Sequence, residues 1–146
     1  MASVTPTPQT RGHAAAPVVR QPAQQAYEAL HWGFTLAPIL AGLDKFTHVL
    51  CNWDQYLAPA IAKMLPFPSH TFMMAVGVIE VVAGLGVFFK PRPFGYVVAA
   101  WLACIIVNLL LSGAYFDVAL RDLGLALGTF ALARLSEGVE GAAPRA

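Results

Sequence analysis

Two long apolar runs, joined by a short basic turn, limit what this chain can fold into. Thr71–Phe89 contains one charged residue, Glu80, and Phe94–Ser112 contains none. About 20 apolar residues cross the hydrocarbon core of a bilayer as a helix, so both runs are long enough to span a membrane. The intervening Lys90–Pro93 contains two prolines and is not expected to be helical throughout. The sequence therefore predicts two consecutive membrane spans.

Two further segments complete a predicted bundle of four spans. The first span is expected from about Tyr27 to Leu43, with a possible extension to Leu50, and the fourth from about Asp117 to Leu135. Only 12% of all residues are charged and 58% are hydrophobic, whereas soluble domains contain roughly 25% charged residues. A soluble, fully buried bundle is the disfavoured alternative, because too few charges remain to cover its surface. We predict an all-α fold, a four-helix transmembrane bundle.

The remaining segments divide the chain into a membrane domain and two tails. Residues 1–25 are rich in Pro, Ala and Gln, without the apolar core of a signal peptide, so we expect an extended cytoplasmic tail and an uncleaved first span. Residues 26–136 form the predicted membrane domain, and residues 137–146 a C-terminal tail. Cys51–His70, here named the connector, carries aromatic residues at helical spacing. It predicts a short amphipathic helix on the membrane surface between spans one and two.

The basic residues predict the orientation of the bundle. Four spans place both termini and the Lys90–Pro93 turn on one side, which carries six of the nine Lys and Arg residues. The positive-inside rule then puts both termini in the cytoplasm, and we expect the inner (cytoplasmic) membrane of a bacterium. The net charge of +1 gives no basic surface for nucleic acid. The lipid bilayer and other membrane subunits are the expected partners. A Pro-rich tail becomes ordered only when another surface holds it, so we expect Met1–Gln25 to contact such a subunit.

Polar residues inside the spans are candidates for function, because they are costly in lipid and face the bundle interior. By the helical rise, Glu80 lies roughly 13 Å inside its span, and Arg121 and Asn108 lie about 6 Å inside theirs. The predicted polar core in the outer half of the bundle is Asp44, Lys45, Glu80, Asn108, Arg121 and Asp122. Glu80 is interpreted either as a proton-carrying or ligand-binding carboxylate or as a structural partner. Arg121 either forms a neutral cap with Asp117 or anchors an anion or carbonyl.

No metal site or intrinsic cofactor is predicted. Asp44 and His48 are four residues apart, which suits two ligands, but no third ligand is near in the sequence. Cys51 and Cys104 form no CxxC pattern. The sequence carries no flavin, haem or iron–sulfur ligation motif. The cofactor-like molecules that we consider are therefore a quinone or a bound lipid.

Four motifs, in order, resemble the DoxX-like family of small four-helix membrane proteins. They are Ala41–Phe46 (AGLDKF), Trp53–Pro59 (WDQYLAP), Val76–Gly84 (VGVIEVVAG) and Asp117–Gly124 (DVALRDLG). The resemblance covers about Tyr27–Leu135; the tail before it departs from the family pattern. It implies a four-helix bundle that works beside redox partners, and some members resemble subunits of thiosulfate:quinone oxidoreductase. It also implies that Asp44, Lys45, Glu80, Arg121 and Asp122 form a shared polar core.

Three functions follow as hypotheses. The first is an accessory subunit of a larger redox or electron-transfer membrane complex. The second is a quinone-interacting subunit of an oxidoreductase, in which Glu80 and Arg121 handle protons or a quinone carbonyl. The third is a small carrier of anions or protons. We do not expect the chain to be catalytic alone, because its electrons would have to come from a partner.

Overall fold

The computed structural model describes residues 20–142 for the backbone and 22–138 for side chains, and the regular elements in this range are helices. No strand occurs in that range, which confirms the predicted all-α class. The four long helices are α1 (Arg20–Thr47), α3 (Ser69–Phe89), α4 (Pro91–Ser112) and α5 (Phe116–Ala142). The connector carries a 3₁₀ helix at Trp53–Tyr56 and a one-turn helix α2 at Pro59–Ala62.

Two of the helices, α3 and α4, are long and apolar enough to cross a membrane. They have 21 and 22 residues, and only 39% and 17% of their most apolar windows are buried within the chain. A core helix of a soluble protein is mostly buried, so exposed apolar surface of this extent suits a lipid environment. Large apolar side chains face outward on both helices, among them Val78, Val82, Val107 and Leu111.

The outer helices are longer than the sequence predicted. Helix α1 begins at Arg20, so the end of the segment predicted as an extended tail is helical. Helix α5 continues to Ala142, past the boundary predicted at residue 136. The rest of the predicted N-terminal tail, residues 1–19, and residues 143–146 lie outside the described backbone.

The bundle consists of two closely packed helix pairs, α1 with α3 and α4 with α5. In the first pair the backbones touch: a Cβ on Gly42 would lie 2.5 Å from the Gly77 carbonyl oxygen, and one on Gly77 would lie 2.6 Å from the Gly42 oxygen. A Cβ on Gly84 would likewise meet the Thr35 carbonyl oxygen at 2.7 Å. Small residues allow this approach. In the second pair, Gly95 lies against Ala133 and Thr129 of α5.

The turn between the two apolar helices is shorter than predicted. We expected Lys90–Pro93 to interrupt the helices, but α4 begins at Pro91 and includes Arg92 and Pro93 in its first turn. The first N–H groups of a helix have no partner within it, so prolines are tolerated in that turn. Only Lys90, with φ −141° and ψ 73°, is non-helical between α3 and α4.

The connector does not form the single amphipathic surface helix that was predicted. Its middle folds inward, where Leu57 and Ala58 are buried. The Asn108 side chain of α4 binds its backbone twice, accepting from the Ala58 N–H at 2.9 Å and donating to the Tyr56 carbonyl at 2.7 Å. These bonds satisfy peptide groups that a continuous helix would have satisfied itself. The connector therefore closes one end of the bundle, the connector end.

Candidate functional site: a cavity between the helix pairs

A cavity of about 520 Å³ lies between the two helix pairs at the connector end. Its wall is mostly apolar and includes Phe34, Met73, Val98, Leu102 and Ile105. All four long helices and the connector contribute to it. Its polar and amphipathic lining residues are Lys45, Trp53, Tyr56, Glu80, Trp101, Asn108, Arg121 and Asp122. Five of the six residues of the predicted polar core thus meet in one cavity; Asp44 does not line it.

Lys45 of α1 and Glu80 of α3 form a buried ion pair on one wall. The Lys45 Nζ lies 2.5 Å from Glu80 Oε2, and the two side chains are 4% and 10% exposed. The ammonium group also lies 3.9 Å from the centroid of the Trp53 ring, within cation–π range. The close approach of α1 and α3 positions this pair, because Gly42 and Gly77 lie one turn away from Lys45 and Glu80 along their helices. Glu80 is paired with a cation rather than with a polar uncharged group.

The cavity is also lined by Arg121 and Asp122 of α5 and Trp101 of α4. Asp122 is buried, and its carboxylate interacts electrostatically with Arg121 and Lys45. Its neighbour Arg121 lines the cavity and forms no ion pair with Asp117, so the neutral cap considered from the sequence is not formed. The Trp101 Nε1 of α4 is shielded from solvent and lies near the Glu80 carboxylate, without completing a well-formed hydrogen bond in the described part of the chain. Arg121 is exposed, whereas Asp122 and the Trp101 N–H are shielded. Buried polar atoms are usually bonded, so the Trp101 N–H and the Asp122 carboxylate are available to a ligand.

Asp44 does not line the cavity, and its carboxylate instead binds groups at the start of the connector. Its carboxylate accepts hydrogen bonds from the Trp53 Nε1 at 2.7 Å, the Val49 N–H at 2.9 Å and the Leu50 N–H at 3.1 Å. The Thr47 hydroxyl donates a fourth at 3.0 Å. A carboxylate at a helix C-terminus opposes the helix dipole, and these donors compensate it. Asp44 therefore holds the start of the connector and places Trp53 over Lys45.

The aromatic residues Trp53, Tyr56 and Trp101 are the site residues that the sequence did not identify. Trp53 and Tyr56 were interpreted as membrane-surface residues, because Trp and Tyr favour the headgroup region. Trp101 lies in an uncharged apolar run. Its indole N–H, a donor without a partner in an apolar helix, is the signal that could have pointed to it.

The two cysteines differ in their surroundings. Cys51 lines the cavity at the connector, where burial, reinforced by the Asp44 carboxylate, raises the pKa of its thiol. A thiol with a raised pKa is a poor nucleophile at neutral pH. Cys104 of α4 is exposed, and both cysteines are free.

The Asp44–His48 pair considered from the sequence does not form a pair of metal ligands. Asp44 is occupied by the connector, whereas the His48 ring stacks on His70 at a centroid distance of 5.2 Å. Within the described residues, His48, Asp54 and His70 are the group whose ligand atoms come close enough together to hold a metal ion.

No protein family, curated protein or solved structure matches this chain. The resemblance to the DoxX-like family therefore stays a prediction that rests on the four motifs alone.

Proposed function

We propose that this chain is a four-helix integral membrane protein whose cavity binds a lipid-soluble quinone, as the membrane subunit of a larger redox complex. The observation that carries the proposal is the set of polar groups that line an otherwise apolar cavity: the Lys45–Glu80 pair, together with Trp101, Arg121 and Asp122. Polar groups inside a membrane bundle are enriched in functional sites.

In this proposal α1 and α5 cross the membrane beside α3 and α4. Helices of 28 and 27 residues extend over about 40 Å, more than the hydrocarbon thickness. Both have exposed large apolar side chains, among them Leu36, Leu40, Leu123 and Leu127. One acidic or basic residue near the connector end of each helix points inward, since Lys45 is 3% and Asp122 is 9% exposed, whereas Asp117 and Arg121 of α5 are exposed. Apolar outer faces and a polar interior are the expected arrangement for a bundle in lipid.

A quinone matches the chemistry of the cavity better than a purely apolar lipid. Its ring and isoprenoid chain fit apolar walls, and its two carbonyl oxygens accept hydrogen bonds. Donors are available in the Arg121 guanidinium and the Trp101 Nε1, and the carboxylate of Asp122 can accept from the corresponding quinol. Several convergent polar groups in an apolar pocket are typical of small-molecule sites. The resemblance to DoxX-like proteins favours the same ligand class.

The role as a subunit follows from the electron balance. Reduction of a quinone takes two electrons and two protons, and the sequence contains no flavin, haem or iron–sulfur ligation motif. A partner would supply the electrons, and Met1–Gln25 is the segment proposed to contact it. We place the protein in the bacterial inner membrane with both termini in the cytoplasm, so that the connector end faces the opposite side. If the protein purifies from native membranes as a monodisperse species with nothing bound, the subunit role is wrong.

Quinone binding can be measured by tryptophan fluorescence of the full chain in lipid nanodiscs. Trp53 and Trp101 line the cavity, whereas Trp32 on α1 is 54% exposed and does not. In a Trp32→Phe background, a short-chain ubiquinone analogue should quench the remaining emission saturably. Arg121→Gln should weaken the apparent affinity about tenfold or more, because a hydrogen bond from a charged donor contributes about 1.5–3 kcal/mol.

Lys90→Gln is the matched control, since it removes a positive charge at the opposite end of the bundle. It should leave the affinity unchanged. A saturated alcohol with the same alkyl chain tests for purely apolar binding and should not compete. Quenching that rises linearly without saturation, or that Arg121→Gln leaves unchanged, would contradict the proposed site.

A further inference from the structure

Three potential metal ligands meet at the connector end, outside the cavity. They are His48, which follows α1, Asp54 in the 3₁₀ helix, and His70 in the first turn of α3. One ligand atom of each lies within 4.8 Å of the others. The His70 Nδ1 lies 3.2 Å from Asp54 Oδ2, and the two imidazole rings stack at a centroid distance of 5.2 Å. Residues from three separate segments are thus gathered at one point.

The backbone around these residues is held in place by contacts of its own. The Asp44 carboxylate binds the N–H groups of Val49 and Leu50, directly after His48. His48 itself has φ 53°, and its N–H donates to the Asp44 carbonyl at 2.7 Å. This left-handed position at a helix end usually carries Gly, and a residue with a Cβ costs about 1–2 kcal/mol there. Histidine is one of the non-glycine residue types that adopt this conformation more often than others, and here its ring stacks on that of His70.

The Asp54 carboxylate has an oxygen atom that is free to bind a cation, as far as the described residues show. Its Oδ2 is in contact with His70, but its Oδ1 is shielded from solvent and has no hydrogen-bond partner in the described part of the chain. A shielded carboxylate oxygen without a donor is unfavourable. A bound cation would satisfy it.

We propose that His48, Asp54 and His70 bind a divalent transition-metal ion, with Zn²⁺ as the best match. Two imidazoles and one carboxylate are a typical donor set for zinc, and they leave a coordination position for water or for a further ligand. The two nitrogen donors disfavour Mg²⁺ and Ca²⁺, which prefer oxygen ligands. Two of the ligands, His48 and Asp54, lie partly buried at the end of the bundle, and His70 is exposed, which leaves a path for the ion.

The site would fasten the connector to the bundle. The 3₁₀ helix that carries Asp54 also carries Trp53 and Tyr56, which line the cavity. A metal joining this helix to the ends of α1 and α3 would hold both aromatic residues in place. Zinc binding would therefore make the part of the connector that lines the cavity more rigid.

The test uses full-length protein without a histidine tag, treated with EDTA and returned to metal-free buffer in nanodiscs. Titration with ZnSO₄ in a calorimeter should give one ion per chain, and zinc should raise the Tm of the protein. Co²⁺, used as a spectroscopic substitute, should give visible absorption bands. Asp54→Asn and His70→Ala should each weaken zinc binding at least about tenfold, while MgCl₂ should give no heat.

His48→Gly separates ligand loss from misfolding. Glycine suits the positive φ of this position, so the metal-free variant should melt at the same temperature as the wild type or higher. Its zinc-dependent rise in Tm should nevertheless be lost. His31→Gln is the control, because His31 contacts the Val87 and Phe88 carbonyls at the other end of α3. This variant removes a histidine but keeps all three proposed metal ligands. No zinc-dependent change in the wild type, or an equal change in His48→Gly, would overturn the proposal.

Discussion

The Lys45–Glu80 ion pair is the residue-scale feature on which the interior of the bundle depends. Two opposite charges in an apolar interior lose their hydration, and only their mutual contact and neighbouring groups compensate that loss. Here the contact is 2.5 Å, and the Trp53 ring covers the ammonium group. Each charge therefore needs the other.

We expect removal of one partner to cost more than removal of both. Glu80→Gln leaves Lys45 buried without a counter-charge and should lower the free energy of unfolding by about 3–5 kcal/mol. Combining it with Lys45→Met removes the orphaned charge and should recover a large part of that loss. SDS-induced unfolding of the purified protein in detergent micelles, followed by circular dichroism, measures Glu80→Gln, Lys45→Met and the double variant.

Glu137→Gln is the matched control for this experiment. Glu137 pairs with Arg134 at 2.8 Å and with Arg92 at 3.6 Å, and it accepts a hydrogen bond from Tyr96 at 3.2 Å. The side chains of all three charged residues are nevertheless accessible, at 27% for Glu137 and more than half for both arginines. An accessible pair contributes about 0–1 kcal/mol, so the control should differ little from the wild type. If the effects of Glu80→Gln and Lys45→Met simply add, the two residues do not stabilise each other.

At the scale of elements, glycines decide which helices form pairs. Gly77 and Gly42 bring α3 and α1 into backbone contact, and this contact aligns Lys45 with Glu80. Gly124 is also a glycine within a helix, α5, but no atom lies within 4 Å of the position that its Cβ would take. Substitutions at Gly77 and Gly124 therefore distinguish the effect of close helix packing on stability from the effect of helix propensity.

Gly77→Ala and Gly124→Ala should change stability in opposite directions. The Gly77 Cβ would meet a backbone oxygen, which cannot move unless the helices separate, so we expect a loss of about 1–3 kcal/mol. Gly124→Ala gains helix propensity without a clash and should stabilise the protein by up to about 1 kcal/mol. The same SDS-unfolding measurement gives both values. Equal effects of the two substitutions would mean that the α1–α3 contact does not restrict residue size.

At the scale of the whole molecule, the two ends of the bundle allow a test of the proposed orientation in the membrane. The connector and the Lys90 turn lie at opposite ends of the bundle, and both offer exposed positions, with Met64 83% exposed. They can therefore report on the two sides of the membrane independently.

A cysteine introduced at each end should react from opposite sides. In a Cys51→Ser/Cys104→Ser background, Met64→Cys should react with a membrane-impermeant maleimide in intact cells. Lys90→Cys should react only after permeabilisation if the proposed orientation, with this turn in the cytoplasm, is correct. The reverse pattern would invert the topology, and labelling of both in intact cells would show that the segment between them does not separate two compartments.

Sequence reasoning predicted the elements better than their contacts. The apolar runs located α3 and α4 within a few residues, because length and hydropathy are local properties. The residues Lys45, Glu80, Asn108, Arg121 and Asp122 were recognised because ionisable and amide groups are costly inside a membrane. The connector was predicted less well, since Asn108 and Asp44 satisfy its peptide groups from elsewhere in the chain.

What the sequence by itself determined is the all-helical class, the two apolar helices and the polar residues that need an interior. What only the tertiary structure decided is how those residues combine. Glu80 pairs with Lys45, whereas Asp44, next to Lys45 in the chain, holds the connector instead. His48 lies beside Asp54 and His70 rather than beside Asp44. The physical reason is that hydrophobicity and helix length act along the chain, whereas ion pairs and ligand sets depend on which backbones approach closely in space.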